Sequence, residues 1–454
     1  MFTFIVIVFV LGYLAIALEH PIKIDKAASA LVTGVSVWAL LVFGGDEILN
    51  MTNSAFGHFT SLFEGDPNTV RQHFIEEQLL HHLSEIASIL FFLMGAMTIV
   101  ELVDAHEGFN VITDKITTTN KIKLLWIIAI LTFFFSAALD NLTTTIVMVS
   151  LLRKLIADKK DRWIFVGMVI VSANAGGAWS PIGDVTTTML WIGGQLTVST
   201  IVQSLFVPSL VAMVVPLAVL SATLKGNVNR PSAVEGLEHY INPTTPFERN
   251  LVFYIGVAGL LFVPIFKTVT HLQPFMGMMF SLGILWMVTE VLHKSKNMED
   301  KSRLSVIGVL RKIDSASVLF FLGILLAVAA LQTAGHLVLM AGSLNDWFGG
   351  NIYAINIVIG LLSAIVDNVP LVAASMGMYE VTGAGEFAQD GIFWQFLAFC
   401  AGTGGSVLII GSAAGVAAMG LEKIDFGWYL KKISLLALIG YVAGAFTYIG
   451  MQML

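Results

Sequence analysis

Apolar residues run through this chain in stretches of about twenty, long enough to cross the roughly 30 Å hydrocarbon core of a bilayer as helices. Polar connections separate them. The stretches fall at 1–18, 27–45, 86–103, 163–195, 200–224, 251–266, 274–292, 315–334, 392–420 and 429–452, which predicts ten crossings. Two more apolar segments, 124–152 and 352–380, carry Asp140-Asn141 and Asp367-Asn368 in their middles. Each reads as a re-entrant hairpin with a polar tip, or as a pair of short spans; both choices leave the sidedness of the downstream chain unchanged.

The stretch at 163–195 is the least like a simple span. Gly176, Gly177, Pro181 and Gly183 interrupt it, and Asn174, Ser180, Asp184, Thr186, Thr187 and Thr188 put polar groups at bilayer depth. Unwound backbone finds no hydrogen bonds in lipid, so such a segment must be buried in protein or line a cavity. An intramembrane carboxylate is costly and marks a functional site by default.

Composition points the same way: 56% of the 454 residues are hydrophobic and 12% charged, against about 25% charged in soluble domains. The net charge of -7 says little about partners, because charges in loops count by side of the membrane. With the N-terminus outside, 22 of the 24 Lys and Arg residues fall on the inner side, Lys431 and Lys432 of them at the inner end of the last span, and only Arg71 and Lys267 fall outside. That is the positive-inside distribution. It predicts that both termini lie on the outer side. Residues 1–18 lack a basic leader and a small-residue cleavage site, so they are expected to form a first span. Cys400 is the single cysteine, so no intramolecular disulfide can form. The polar segment 46–84, with His58, His73, His81 and His82, is expected outside, and 68–84 suits an interfacial amphipathic helix. No nucleotide-binding loop or soluble domain is present in the sequence; neither a cofactor nor a nucleic-acid partner is expected.

The chain also repeats itself. EIASILFFL at 85–93 matches DSASVLFFL at 314–322, SAALDN at 136–141 matches SAIVDN at 363–368, and Gly176, Gly177 and Gly183 match Gly404, Gly405 and Gly411. Five crossings separate equivalent spans, so the halves must be inverted. The expected fold is an all-α polytopic membrane protein of two inverted repeats of five transmembrane helices, each with a re-entrant hairpin and a broken helix. The first repeat covers 1–224, with its hairpin at 124–152 and broken helix at 163–195; a cytoplasmic linker covers 225–250. The second covers 251–454, with its hairpin at 352–380 and broken helix at 392–420. Secondary transporters are built this way, with the substrate near the midplane at the repeat interface.

Asp140, Asn141, Thr143 and Thr144 form the first tip; Ser363, Asp367 and Asn368 form the second. Closely spaced side-chain oxygens suit a hard cation. Equally, Asp or Asn can cap a helix while threonines bond back to the backbone. Asp184 has Ser412 as its counterpart, so the two halves are chemically unequal. Asn174, Ser180, Thr186 and Thr187, with carbonyls freed at Ser180-Pro181, would complete a cation site with Asp184; Thr403, Ser406 and Ser412 offer neutral oxygens. This reading places Na+ at Asp140, Asn174, Asp184 and Asp367. An acid there takes a cation or a proton but scarcely both, and that exclusion is all exchange requires. Glu101 and Glu85 are candidates for a proton path; the bland readings are interfacial solvation for Glu101 and a helix N-terminal charge for Glu85. The outer histidines read as pH sensors or as solvated surface.

Three stretches carry a family resemblance: ALDNLTTTIVMVSLLRKL (138–155), SANAGGAWSPIGDVTTTMLWIGGQLT (172–197) and LFFLMGAMTIVELVDAHEGF (90–109). They resemble the NhaD-type sodium/proton antiporters of the ion transporter superfamily, over most of the chain from Glu19 onward. The resemblance implies efflux of Na+ or Li+ in exchange for H+, a homodimer, and elevator-like movement of the hairpin domain against a scaffold. It supports Asp140, Asn174, Asp184, Thr186, Thr187, Asp367 and Asn368 as site residues. Rival readings are a Na+-coupled anion or dicarboxylate symporter of the same fold and a cation channel. Both tips carry Asp, and the only Lys or Arg within a proposed span are Lys431 and Lys432 at the start of the last one, so an anion would meet repulsion at the tips. No metalloprotease or nucleophile-elbow pattern suggests an enzyme.

Overall fold

A computed structural model describes residues 1–52, 56, 59, 66–113, 115–231 and 244–453; His58 and residues 232–243 of the expected linker lie outside them. The chain is helical because a backbone in hydrocarbon must satisfy its own hydrogen bonds. In order come α1 (Phe2–Ala17), α2 (Lys26–Thr52), α3 (Pro67–Ala105), α4 (Lys121–Leu139), α5 (Asn141–Leu155), α6 (Lys159–Ala178), α7 (Val185–Ile192) and α8 (Val198–Thr223). Then follow α9 (Pro246–Thr270), α10 (Pro274–Leu292), α11 (Ser315–Thr333), α12 (His336–Phe348), α13 (Ile352–Leu362), α14 (Asn368–Met378), α15 (Ile392–Gly404), α16 (Ala413–Glu422) and α17 (Ser434–Gln452). Among the described residues no strand forms, and eight helices are long and apolar enough to cross a membrane. This is a multi-pass membrane protein.

Seven of the ten expected crossings are among those eight helices; the eighth is α4. At 19 residues and 1.5 Å per residue, α4 reaches about 28 Å, whereas α13 and α14 have 11 residues each. The two interrupted segments are therefore unequal in length. Residues 68–84 do not form a separate interfacial helix. They are the first half of α3, a continuous helix of 39 residues whose start Asp66 caps by accepting from the Thr69 N–H. No Gly or Pro falls between Asn68 and Met94 to break it.

The two glycine-broken segments are each a helix, an unwound link and a second helix: α6 and α7, then α15 and α16. Their breaks are fixed by matching contacts. A Cβ at Gly176 would collide with the Phe133 carbonyl of α4, and one at Gly404 with the Gly360 carbonyl of α13. Gly183 and Gly411 are pressed in the same way against the carbonyls of Ser136 and Ser363. Those serines in turn donate to Ala173 O at 2.5 Å and Ala401 O at 2.8 Å. The shared glycines thus let each broken helix lie backbone to backbone against its neighbouring helix.

The halves also interlock. α5 packs on α16 and α14 packs on α7. Where α16 ends, buried Glu422 accepts from Arg153 Nε at 2.6 Å and Arg162 Nε at 2.7 Å. Near the end of α7, Asp390 accepts from Thr197 N at 2.6 Å and Thr197 Oγ1 at 2.9 Å. The end of each broken helix is tied to the segment that leads into the other.

A histidine pair closes the junction where α3 and α10 end. The His106 and His293 rings stack 5.0 Å apart, with their Nε2 atoms at 2.9 Å. His106 Nδ1 lies 2.6 Å from Leu102 O, so it carries the hydrogen, and His106 Nε2 accepts from Nε2–H of His293. Burial lowers the pKa of His106, and burial with the neighbouring His106 pushes His293 down to about 4. A depressed histidine leaves stability intact above its ordinary value and loses it as pH falls toward the folded one. The junction should therefore lose stability between pH 6.5 and about 4. Thermal unfolding in detergent across that interval should show the slope, and His293→Gln should flatten it.

Candidate functional site

The breaks in the helices bring their polar residues to one buried place. Asp184 is the N-cap of α7, and its Oδ1 accepts from the Thr186 N–H and the Thr186 hydroxyl, both at 2.9 Å. Its Oδ2 accepts from Asn141 Nδ2 at 2.8 Å, and Asn368 Nδ2 stands 3.5 Å from both carboxylate oxygens. Asn141 Nδ2 also reaches Asn174 Oδ1 at 3.1 Å. Asn174 Nδ2 donates to the hydroxyls of Ser406 and Ser412, each at 2.9 Å. Asp184 and Asn174 are 1% and 0% exposed, so this is a dry site with one central carboxylate. Both halves of the sequence contribute to it.

Among the described residues no three His, Cys, Asp or Glu side chains are placed to hold a metal ion between them. The reason lies in the helix starts. α5 begins one residue after α4 ends, with only Asp140 between them at φ +83°, and the Asp140 carboxylate accepts from Thr143 N at 2.8 Å and Thr143 Oγ1 at 2.7 Å. Asp367 likewise caps α14, accepting from Val369 N at 3.1 Å. Unpaired N–H groups at a helix start draw such acids in. At each tip the aspartate caps and the asparagine beside it turns toward Asp184.

Other expected site residues hold the break itself. Ser180 donates to Ala137 O at 2.5 Å, Thr187 donates to Ser180 O at 2.7 Å and to Asp184 O at 2.9 Å, and Thr188 donates to Pro181 O at 2.9 Å. The carbonyls freed near the proline are thus taken by hydroxyls. Thr403 bonds back to Phe399 O at 2.6 Å within its own helix. Ser363 braces α15, and among the described residues the buried Thr144 hydroxyl has no hydrogen-bond partner.

Three cavities are lined by expected site residues. One of about 100 Å³ is lined by Glu101, Asp104, Thr143, Lys312 and Asp314, and so leads from Glu101 to the threonine that bonds Asp140. A second, of about 70 Å³, is lined by Tyr13, Glu19, Lys26 and Asp367. A third, of about 420 Å³, is lined by His82, Glu85, Gln195, Gln273 and Gln332. Glu101 and Glu85 therefore face separate cavities.

Two neighbours escaped the sequence reading. Gly402 occupies the position equivalent to Asn174, and a Cβ there would lie 3.8 Å from Asp184 Oδ2; the repeat offset could have found it. Tyr429 donates to Ser406 O at 2.8 Å, a contact for which the sequence offers no signal.

The chain matches the family model CitMHS, described as "Citrate transporter", over residues 5–395. It is 45% identical over 451 residues to "Sodium/proton antiporter 1" of Arabidopsis thaliana, covering 98% of this chain and 72% of that protein. "Sodium/proton antiporter 2" of the same plant is 43% identical over 454 residues, covering 98% and 99%. "Na(+)/H(+) antiporter NhaD" of Alkalimonas amylolytica is 30% identical over 465 residues, covering 96% and 88%.

Proposed function

This chain belongs to the NhaD-type sodium/proton antiporters of the citrate transporter family, and from that premise we propose that it exchanges cytoplasmic Na+ or Li+ for external H+ by alternating access. The observation that carries the reading is the buried Asp184, ringed by Asn141, Asn174 and Asn368. A side-chain amide has two faces. Its NH2 solvates the carboxylate when no cation is present, and its oxygen, after rotation, can join the carboxylate around Na+. Protonation of Asp184 removes the charge that holds the ion, so either ligand displaces the other.

The proposed moving body comprises α4 to α7 and α13 to α16, two inverted hairpin and broken-helix units. The reciprocal packing of α5 on α16 and α14 on α7 supports it. The remaining long helices form the scaffold of a homodimer in the inner membrane, with both termini outside. Protons are proposed to enter from the outer side through the cavity of Glu85 and to leave toward the cytoplasm through that of Glu101. The family description favours a second reading, Na+-coupled carriage of an anionic substrate. Against it, every polar group bonded to Asp184 is an amide, hydroxyl or backbone N–H, with no Lys or Arg among them.

Everted vesicles holding the protein decide between the two. Addition of Na+ or Li+ should dissipate a preformed pH gradient, and addition of succinate or citrate should not. Sodium-dependent uptake of the acid with no effect of Na+ alone would establish the symporter instead.

A further inference from the structure

Lys267, one of two basic residues that the charge count leaves on the outer side, has a specific partner. It lies in the last turn of α9, and its Nζ donates to the Trp191 carbonyl at 2.8 Å while standing 4.7 Å from the centre of the Trp191 ring. Trp191 is buried in the last turn of α7, where Phe92 of α3 meets its ring edge-on at 6.4 Å. α7 is the eight-residue half-helix capped at its other end by Asp184. Lysines near a membrane surface ordinarily extend their ammonium toward water. This one turns inward to the C-terminal, electronegative end of α7 and to an aromatic face.

We infer that Lys267 is a positioning residue, a latch by which α9 holds α7, and through it Asp184, in one of the two alternating-access states. The inference rests on the proposed function, in which α7 moves and α9 stays, so the contact belongs to one half of the cycle. A contact made in one of two states sets their ratio. The apparent KM measured from one face varies inversely with the fraction of protein open to that face. The quotient of the two apparent KM values therefore reports the latch whatever the starting populations.

The test uses the full chain in vesicles of both orientations, with the KM for Na+ measured at each face. Lys267→Met should shift the quotient of the two KM values about tenfold, equal to about 1.4 kcal/mol. Lys267→Arg, which keeps a cation over the indole, should leave it within about twofold of the native value. An unchanged quotient in Lys267→Met, with both KM values intact or moved alike, overturns the latch, because general structural damage has no sidedness. Should Lys267→Met fail to reach the membrane, Lys267→Cys in a Cys400→Ser chain replaces it. Aminoethyl methanethiosulfonate, which restores an ammonium, should return the quotient toward native, and the neutral methyl reagent should not. Equal quotients after both reagents overturn the latch. Native vesicles without any Na+ response would sink the antiport reading and the latch with it, a result distinct from an active protein with an unchanged quotient.

Discussion

Asp184→Asn is expected to abolish Na+-dependent dissipation of the pH gradient while leaving the protein folded. A monovalent cation in a dry site needs a fixed negative charge, and leaving it unpaired costs several kcal/mol. At 1.4 kcal/mol per decade, the apparent affinity should fall by at least about 100-fold. The amide oxygen of Asn can still accept from Thr186 N and Thr186 Oγ1, the contacts that start α7. Its NH2 would then confront Asn141 Nδ2, a clash that Asn141 relieves by rotating its own amide. The fold survives and the charge does not. Asp140→Asn and Asp367→Asn form the comparison set, since Asn caps a helix about as well as Asp. Both variants should keep their hairpins and retain more activity than Asp184→Asn. The same vesicles, with protein amount matched, give all three rates; native activity in Asp184→Asn would refute the central carboxylate.

The membrane itself made much of this legible. Hydrocarbon forces apolar segments into helices, so the spans and the two glycine breaks could be read from hydropathy, and the repeat offset placed Asp184 opposite Ser412. Both are N-caps, at φ -146° in each case. What could not be read was which atom of each tip faces the centre. Asp140 and Asn141 are neighbours in sequence, yet one caps a helix and the other reaches a carboxylate 43 positions away. Residue type alone does not announce that choice, and neither does one backbone shape: Asp140 at φ +83° and Asp367 at φ -46° both cap while the next Asn turns to Asp184. The continuity of α3 was missed for a different reason. A polarity change between 68–84 and 86–103 looked like a boundary, although no residue there stops a helix. Lys267 was visible only as an exception to a charge rule, because its partner lies 76 residues away on a different helix.

Glu422→Ala is expected to cost about 3 kcal/mol of stability, at the lower end of the 3–5 kcal/mol typical of breaking a buried ion pair. The Glu422 side chain is 1% exposed and joins Arg153 and Arg162, whose side chains are 47% and 17% exposed. Removing it strands the Arg162 guanidinium, which keeps Ile156 O at 2.8 Å as an acceptor but loses its only counter-charge among the described ion pairs. Half-exposed Arg153 recovers water, and that holds the cost below the upper figure. Loss of the pair should also uncouple the end of α16 from α5 and α6, the joint that ties the second half to the first at this face. Unfolding in detergent, followed by temperature or denaturant, would measure the first effect; an unchanged midpoint would show that the pair is structurally idle. The second effect separates stability from mechanism. If the two broken helices must travel as one body, Glu422→Ala should lower the turnover of the protein that remains folded with little change in its KM for Na+, because the groups around Asp184 are untouched. Glu422→Gln, which keeps both acceptor positions partly filled but not the charge, should fall between Glu422→Ala and the native chain on both measurements.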